Sequence, residues 1–349
     1  MNILIVKTSA IGDVTHTLPA LNALRRQYPE AHIAWLVEEA AADVVQGHKA
    51  LNRVLVSKRK QWAEDFRGLS FPNAAKEVYS FICQLRDTEY DWVIDFQSLL
   101  KSAVFVTLAK AKRKIGFDKG MEHAEYSYLF LNERIPPVSM EHHAVLRDLM
   151  LLESLGIKTD QVVFDFPIDD THRNQLKILL NEYEINSAGP LIAINPVAKW
   201  ETKLWDSRNF AGVADQLITR YRANIIFTGG ADDSVTIQNI ISHMAGPAIN
   251  LAAKTTIKTL AALLERVDFL VSTDTGPMHL AAALGTPVVA IFGPTAPWRT
   301  GPYGPNHQVI RAELTCSPCF KRQCPTTDCM KQITAAQVLD GIKKLGILE

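Results

Sequence analysis

The chain holds two polar turns of the kind on which phosphate and proton chemistry is built. Residues 8–19 (TSAIGDVTHTLP) follow the apolar run 2–6, the place where a nucleotide-binding fold sets its phosphate loop. The spacing is not G-x-G-x-x-G, and the turn presents a carboxylate, Asp13, that would repel phosphate. From the residues alone, Asp13 is either the cap of a helix over 14–28 or a charge with its own task, aimed by a tight turn at Gly12. The second turn lies in 272–295 (STDTGPMHLAAALGTPVVAIFGPT), where residues 273–276 end a buried strand and a small-residue helix begins near Gly276. A helix start of this kind offers free N–H groups and a positive dipole end to a diphosphate. Asp274 could accept from sugar hydroxyls, and His279, one turn in, could reach a phosphate. Asp274 and Thr275 would also serve as caps, but capping requires neither His279 nor the small residues 281–285.

Weaker signals surround these two. Residues 195–205 (NPVAKWETKLW) set Lys199 and Lys203 beside two tryptophans after a strand, and such a lysine can neutralise a leaving diphosphate. Residues 228–234 (TGGADDS) carry Asp232 and Asp233 at a helix start, where a ligand contact and an N-cap read alike. The basic clusters 58–62 and 110–114 suit an anionic acceptor or a solvated surface. Trp62, Phe66, Leu69 and Phe71 among charges fit either a membrane-touching segment or ordinary packing. Cys316, Cys319, Cys324 and Cys329 read C-S-P-C-x4-C-x4-C, a spacing for a structural zinc or iron site. An inert or redox-labile loop is the alternative.

The elements that must position these residues alternate from end to end. Apolar runs at 2–6, 32–37, 53–56, 91–96 and 113–117, then at 191–195, 224–230, 248–252, 269–273, 287–293 and 307–311, read as strands. Helical patterns such as 17–28, 98–110, 206–222 and 257–266 lie between them. This predicts an α/β fold of two doubly wound parallel-sheet domains, 1–168 and 169–349, with a connector near 157–170 and ligands at the strands' carboxyl edges. An enzyme cleft between facing domains is the default expectation, and the last helix, 334–346, is a candidate to pack back on the first domain. With 37 basic and 37 acidic residues, no global field recruits nucleic acid. No run has the length of a membrane span, and 1–6 is too short for a signal-peptide core, so the cytoplasm is the expected compartment.

Together these stretches resemble glycosyltransferase family 9, the bacterial ADP-heptose:lipopolysaccharide heptosyltransferases. Residues 6–21 (VKTSAIGDVTHTLPAL) are most similar to the type I branch, and 35–39 (WLVEE), 95–103 (DFQSLLKSA), 142–147 (HHAVLR) and 272–295 recur in the same order. The likeness spans nearly the whole chain, and the cysteine set also occurs in many members. It implies a GT-B architecture, with the acceptor on the N-terminal domain and ADP-heptose on the C-terminal one. It implies that Asp13 is the general base of a single-displacement, inverting transfer and that Lys203 holds the diphosphate. Asn195, Pro196, Lys199, Asp233, Thr255, Asp274, Thr275, Gly276, Pro277 and His279 then fall on the sugar-nucleotide side. Thr8, Ser9, Gly12, Lys58, Arg59, Lys60, Gln97, Lys101, His143 and Arg147 fall on the acceptor side.

The implied chemistry suits the residues. A sugar hydroxyl gains from a carboxylate that takes its proton, while the heptose C1 turns oxocarbenium-like and charge builds on the departing ADP. No cofactor is implied for catalysis. The implied partners are ADP-heptose and a Kdo–lipid A acceptor at the cytoplasmic face of the inner membrane, with no nucleic acid; a monomer is the favoured state, though the sequence does not fix it. Competing readings are another heptosyltransferase of the family (type II, type III or protein-directed), a GT-B sugar-nucleotide epimerase, and a non-catalytic sugar-nucleotide-binding module. A dehydrogenase is disfavoured because no G-x-G-x-x-G follows any strand.

Overall fold

Strands covered on both faces need no polar alternation, and the unbroken Ile, Leu and Val runs of this chain become two six-stranded, wholly parallel sheets in the computed structural model. The structure describes all residues except 69–70, 122–124, 184, 186–187 and 349. The chain divides into two compact units, Met1–Pro167 and Ile168–Glu349.

The first unit contains β1 (Asn2–Val6), β2 (His32–Glu38), β3 (Arg53–Ser57), β4 (Tyr90–Asp95), β5 (Ala111–Phe117) and β6 (Glu133–Ile135), in the order β3-β2-β1-β4-β5-β6. Its helices are α1 (Ile11–Gln27), α2 (Arg59–Asp65), α3 (Phe71–Arg86), α4 (Leu100–Leu108) and α5 (Ala144–Glu153). The second unit contains β7 (Leu191–Asn195), β8 (Asn224–Phe227), β9 (Ile249–Asn250), β10 (Phe269–Thr273), β11 (Val288–Phe292) and β12 (His307–Arg311), in the order β12-β11-β10-β7-β8-β9. Its helices are α6 (Asp170–Leu180), α7 (Ser207–Tyr221), α8 (Ser234–Ser242), α9 (Ile257–Arg266), α10 (Gly276–Ala283), α11 (Pro297–Thr300), α12 (Asp328–Lys331) and α13 (Ala335–Lys344).

Both units thus wind outward from their first strand and then reverse, so each sheet has one switch point, between β1 and β4 and between β7 and β10. Register fixes what meets there. Val6 lies opposite Asp95, and Asn195 opposite Ser272, so the turns leaving each pair of strands emerge side by side. In each unit the core sits between sheet and helices. Leu4, Val6, Leu36, Val93 and Phe105 belong to the core of the first unit, and Phe210, Phe227, Phe269, Val271 and Ile291 to that of the second.

The structure departs from the sequence expectation at several elements. Helix α1 starts at Ile11, not at 14 or 17, so Asp13 lies inside its first turn. Residues Val14 to Leu24 of α1 are buried without interruption, which erases the polar stripe that marks a surface helix, and Pro19 and β-branched threonines further weaken the pattern. The three residues of β6 are too few to show a period. Trp62 is not a membrane-facing residue: it is buried, its ring packs on Phe81, and its Nε1 donates to Glu77. Phe66 and Phe71 are exposed and stack on each other, and Leu69 lies outside the described residues. Helix α13 packs on α7, β11 and β12 of its own unit, burying Val338 and Ile342. No described helix is long and apolar enough to cross a membrane.

At the end of β11, Gly293 leaves no room for a side chain, because a Cβ would lie 2.4 Å from Met330 Sδ and 3.2 Å from Cys329 Sγ. Met330 is itself buried and cannot swing away. Gly293→Ala is therefore expected to cost about 1–3 kcal/mol through overpacking, measured as a lower unfolding midpoint for the second unit.

Candidate functional site

At the switch point of the first unit, the residues after β1 and β4 interlock. The Gln97 side-chain oxygen accepts from Thr8 N (2.9 Å), Thr8 Oγ1 (3.2 Å) and Ser9 N (3.1 Å), pinning one turn to the other. Beneath them Asp95 is buried, accepting from Ser102 Oγ and from the amides of Gln97 and Ser98. Burial pushes its carboxyl up to about 6 against these bonds and the charge of Lys7. Asp13 is half-buried and bends its carboxylate back to accept from Ala10 N at 2.9 Å, which fixes its direction on the first turn of α1. This is a capping bond, made from within the helix.

Asp13 lines a cavity of about 210 Å³ together with Lys7, His16, Gln97, Arg147 and Asp148; Phe96, Phe117, Met121 and Met140 supply apolar wall. Arg147 is steered by the carbonyls of His142 (2.5 Å) and Met140 (3.4 Å), and His143 caps α5 by accepting from Val145 N. Beside the cavity, Lys101 donates to Ser9 Oγ and lies 3.7 Å from Glu38, a buried carboxylate at the end of β2 that also binds Arg59 at 3.1 Å. Burial lowers Lys101 below an ordinary lysine, with Arg59 acting in the same direction and Glu38 opposing. Lys58 stands 4.0 Å from Glu39 on the surface, Lys60 is exposed, and Gly12 is buried in the first turn of α1. Most of the expected acceptor-side residues therefore fall on one edge of one sheet, with Lys58 and Lys60 at its periphery.

The second unit repeats the arrangement with different chemistry. Lys203 Nζ lies 2.6 Å from Asp274 Oδ2 and 4.5 Å over the Trp200 ring. Thr295 Oγ1 donates to the same Asp274 oxygen at 2.6 Å, and His279 Nε2 stands 3.8 Å from the other. Asp274 thus binds the lysine loop to the end of β11. Thr275, the residue before α10, makes no side-chain cap, and Pro277 occupies the first turn, so the start of α10 is not closed by its own side chains. Asn195 is buried and bridges Val197 O and Thr228 Oγ1, while Thr273 also donates to Val197 O. Asn195 therefore anchors the start of the loop that carries Lys203. Pro196 is buried beside it, Lys199 is exposed, and Thr255 is half-buried on the turn before α9. Asp233 accepts from Gly230 N at 2.7 Å, the capping role.

The four thiols of the expected metal centre come near enough for the other three to act on Cys329, but they differ in exposure. Cys329 turns inward beneath Gly293 and is buried, whereas Cys316 and Cys324 turn to solvent and Cys319 is intermediate. Among the described residues, no group of three or more Cys, His, Asp or Glu stands where it could hold a metal ion. The loop instead clamps the turns after β7 and β11: Cys319 N donates to Pro294 O, Lys321 O accepts from Thr202, and Arg322 lies over Trp200. Lys7, Glu38, Asp148 and Thr295 join these edges without a separate signal of their own in the sequence; Lys7, Glu38 and Thr295 lie within the stretches 6–21, 35–39 and 272–295, and Asp148 directly follows 142–147.

The family profile described as glycosyltransferase family 9 (heptosyltransferase) matches residues 78–330. Lipopolysaccharide heptosyltransferase 1 of Pseudomonas aeruginosa is 30% identical over 325 residues, 93% of this chain and 87% of that protein. Lipopolysaccharide heptosyltransferase 1 of Escherichia coli K12 is 32% identical over 314 residues, 89% of this chain and 94% of that protein. The solved structure of E. coli heptosyltransferase WaaC with ADP superposes with a TM-score of 0.80 at 28% identity, covering 99% of this chain and 100% of that one.

Asp95 makes the first switch point pH-sensitive. Its folded value, about 6, exceeds the ordinary 3.8, so its cost to stability is absent below the lower value and grows as pH rises to the upper one. That interval is worth roughly 3 kcal/mol at most. Asp95→Asn keeps acceptors for Gln97 N and Ser98 N without the charge. The variant should be more stable than the parent in denaturant titrations at pH 8, with the gain vanishing near pH 4.

Proposed function

Because the chain belongs to glycosyltransferase family 9, we propose that it transfers heptose from ADP-heptose to the Kdo–lipid A inner core of lipopolysaccharide, with inversion at the anomeric carbon. The reading is carried by one contrast. The first unit has a sugar-sized cavity lined by a half-buried carboxylate, whereas the second has an uncapped helix start with a lysine beside it.

In this reading the acceptor occupies the first unit's cavity and its hydroxyl gives its proton to Asp13 as oxygen attacks C1 of the heptose. The bond from C1 to the diphosphate oxygen breaks and ADP departs with the electron pair. Lys203 exchanges part of its contact with Asp274 for the diphosphate, and the Gly276 amide with the positive dipole end of α10 meets the same charge. Asp274, held by Lys203 and Thr295, accepts from donor hydroxyls, with His279 beside it. On the acceptor side Arg59 and Lys101, braced by Glu38, face the carboxylates and phosphates of the keto-sugars and lipid A. Such an acceptor holds the enzyme at the cytoplasmic face of the inner membrane as a peripheral protein, a monomer with no nucleic-acid partner. Asn195 and Asp233 act through loop geometry, and Pro196, Lys199, Thr255 and Thr275 border the donor.

Incubation with ADP-heptose and Kdo–lipid A should add one heptose mass to the acceptor; no product with any inner-core acceptor overturns the assignment. Asp13→Asn, which can still accept from Ala10 N, should lower turnover about 10²–10⁴-fold with ADP-heptose affinity unchanged by calorimetry. Lys203→Ala should lower kcat about 10²–10³-fold and weaken ADP binding, with acceptor KM unaffected.

A further inference from the structure

Asp148 is a carboxylate that the mechanism so far leaves idle, and its surroundings give it a task. It lies on α5, which packs against α1, and is 5% exposed. An unpaired carboxylate so placed would be expensive, and this one is paired. Thr17 Oγ1 donates to its Oδ2 at 2.5 Å, and Lys7 Nζ stands 3.7 Å from the same oxygen. Thr17 lies one turn beyond Asp13 on α1, and its hydroxyl is also 3.0 Å from the Asp13 carbonyl oxygen. Lys7, held by Phe96 O at 2.8 Å, lines the same cavity as Asp13 and Asp148. An ammonium left unbalanced in a carboxylate's cavity weakens that carboxylate as a proton acceptor. Burial keeps Asp148 above an ordinary aspartate, with Lys7, Thr17 and Arg147 opposing and Asp13 adding to the rise, so its charge is coupled to the cavity.

We infer that Asp148 is a positioning residue for the Asp13 base: it balances Lys7 within the acceptor cavity and holds Thr17, so that Asp13 keeps both its place and its strength as a proton acceptor. The inference rests on Asp13 being the base. In the transfer the hydroxyl proton goes to Asp13, and Asp148 exchanges none. The charged and titratable groups around Asp148 are Lys7 just after β1, Asp13 and His16 from α1, and Arg147 from α5. His143 stacks edge-on against His16, and Asp95 at the end of β4 feels the charge of Lys7.

The test measures heptose transfer from ADP-heptose to deacylated Kdo–lipid A between pH 5 and 9 for Asp148→Asn, Lys7→Gln, the double variant and Asp13→Asn. Asparagine can still accept from Thr17, so Asp148→Asn removes the charge alone. It should lower kcat roughly tenfold to a hundredfold, leave KM for ADP-heptose unchanged, and move the acid limb of the profile down by about one pH unit. Lys7→Gln should move that limb up, and the double variant should return it to the wild-type position. A uniform loss with the limb unmoved would mean a merely structural role and overturns the inference, as does a double variant that fails to restore the limb. If Asp148→Asn does not fold, Lys7→Gln decides, and an unmoved limb overturns the inference. An active Asp13→Asn removes the base reading itself; an inactive one beside an unaffected Asp148→Asn removes only this inference.

Discussion

A wholly parallel sheet delivers every strand's carboxyl end to one edge, and reversal of strand order at a single point leaves a gap there that helices do not cover. Each unit is built on this constraint, and the polar chemistry of the chain collects at the two gaps. Val6 beside Asp95 and Asn195 beside Ser272 are consequences of register. The side-chain bonds that follow, Gln97 to Thr8 and Ser9 in one unit and Thr273 to Val197 in the other, lock turns already adjacent. Such bonds are individually worth about 1 kcal/mol. Their effect here is to remove freedom from the residues that present Asp13 and Lys203.

Environment divides the carboxylates into different tasks. Asp95 and Asp148 are buried in the first unit, raised by desolvation and compensated by hydroxyl donors and Lys7. Asp274 is buried in the second unit against a lysine and a threonine. Asp13 alone of these four is half-open at a cavity wall, where a proton can reach it. Separation of titratable groups by surroundings is how one fold supports both a stable scaffold and a reactive acid–base pair. A chain of zero formal net charge therefore still presents strong local fields.

The strand runs and the two polar turns at the strand ends were legible because apolar continuity and short-range motif spacing are written locally. Asp148 was not, since it meets Thr17 across 131 residues of sequence. Glu38 lies in the stretch 35–39, but only the fold shows that Arg59 and Lys101 converge on it. For the cysteines, spacing suggested a tetrahedron, yet spacing carries no information on side-chain direction. Cys329 follows the core beneath Gly293 while Cys316 and Cys324 follow the solvent. Likewise Trp62 among lysines resembled a surface anchor until its ring met Phe81.

The carboxylate at a phosphate-loop position is explained by comparing the two turns. After β1, the free amide of Ala10 is consumed by the Asp13 carboxylate, and Gln97 takes those of Thr8 and Ser9. A turn whose donors are satisfied internally has little to offer an anion, but it holds a carboxylate in a defined direction. After β10, the acidic side chain is instead drawn aside by Lys203 and Thr295, and Thr275 makes no side-chain cap on α10, whose Pro277 has no N–H and whose Met278 N donates to Thr275 O. The negative charge there is spent on the lysine, so the helix start keeps its attraction for an anion. Two units with the same strand order thus reach opposite electrostatic ends by the choice of which backbone amides are closed off, and that choice turns on where a single aspartate sits relative to the first turn of the helix.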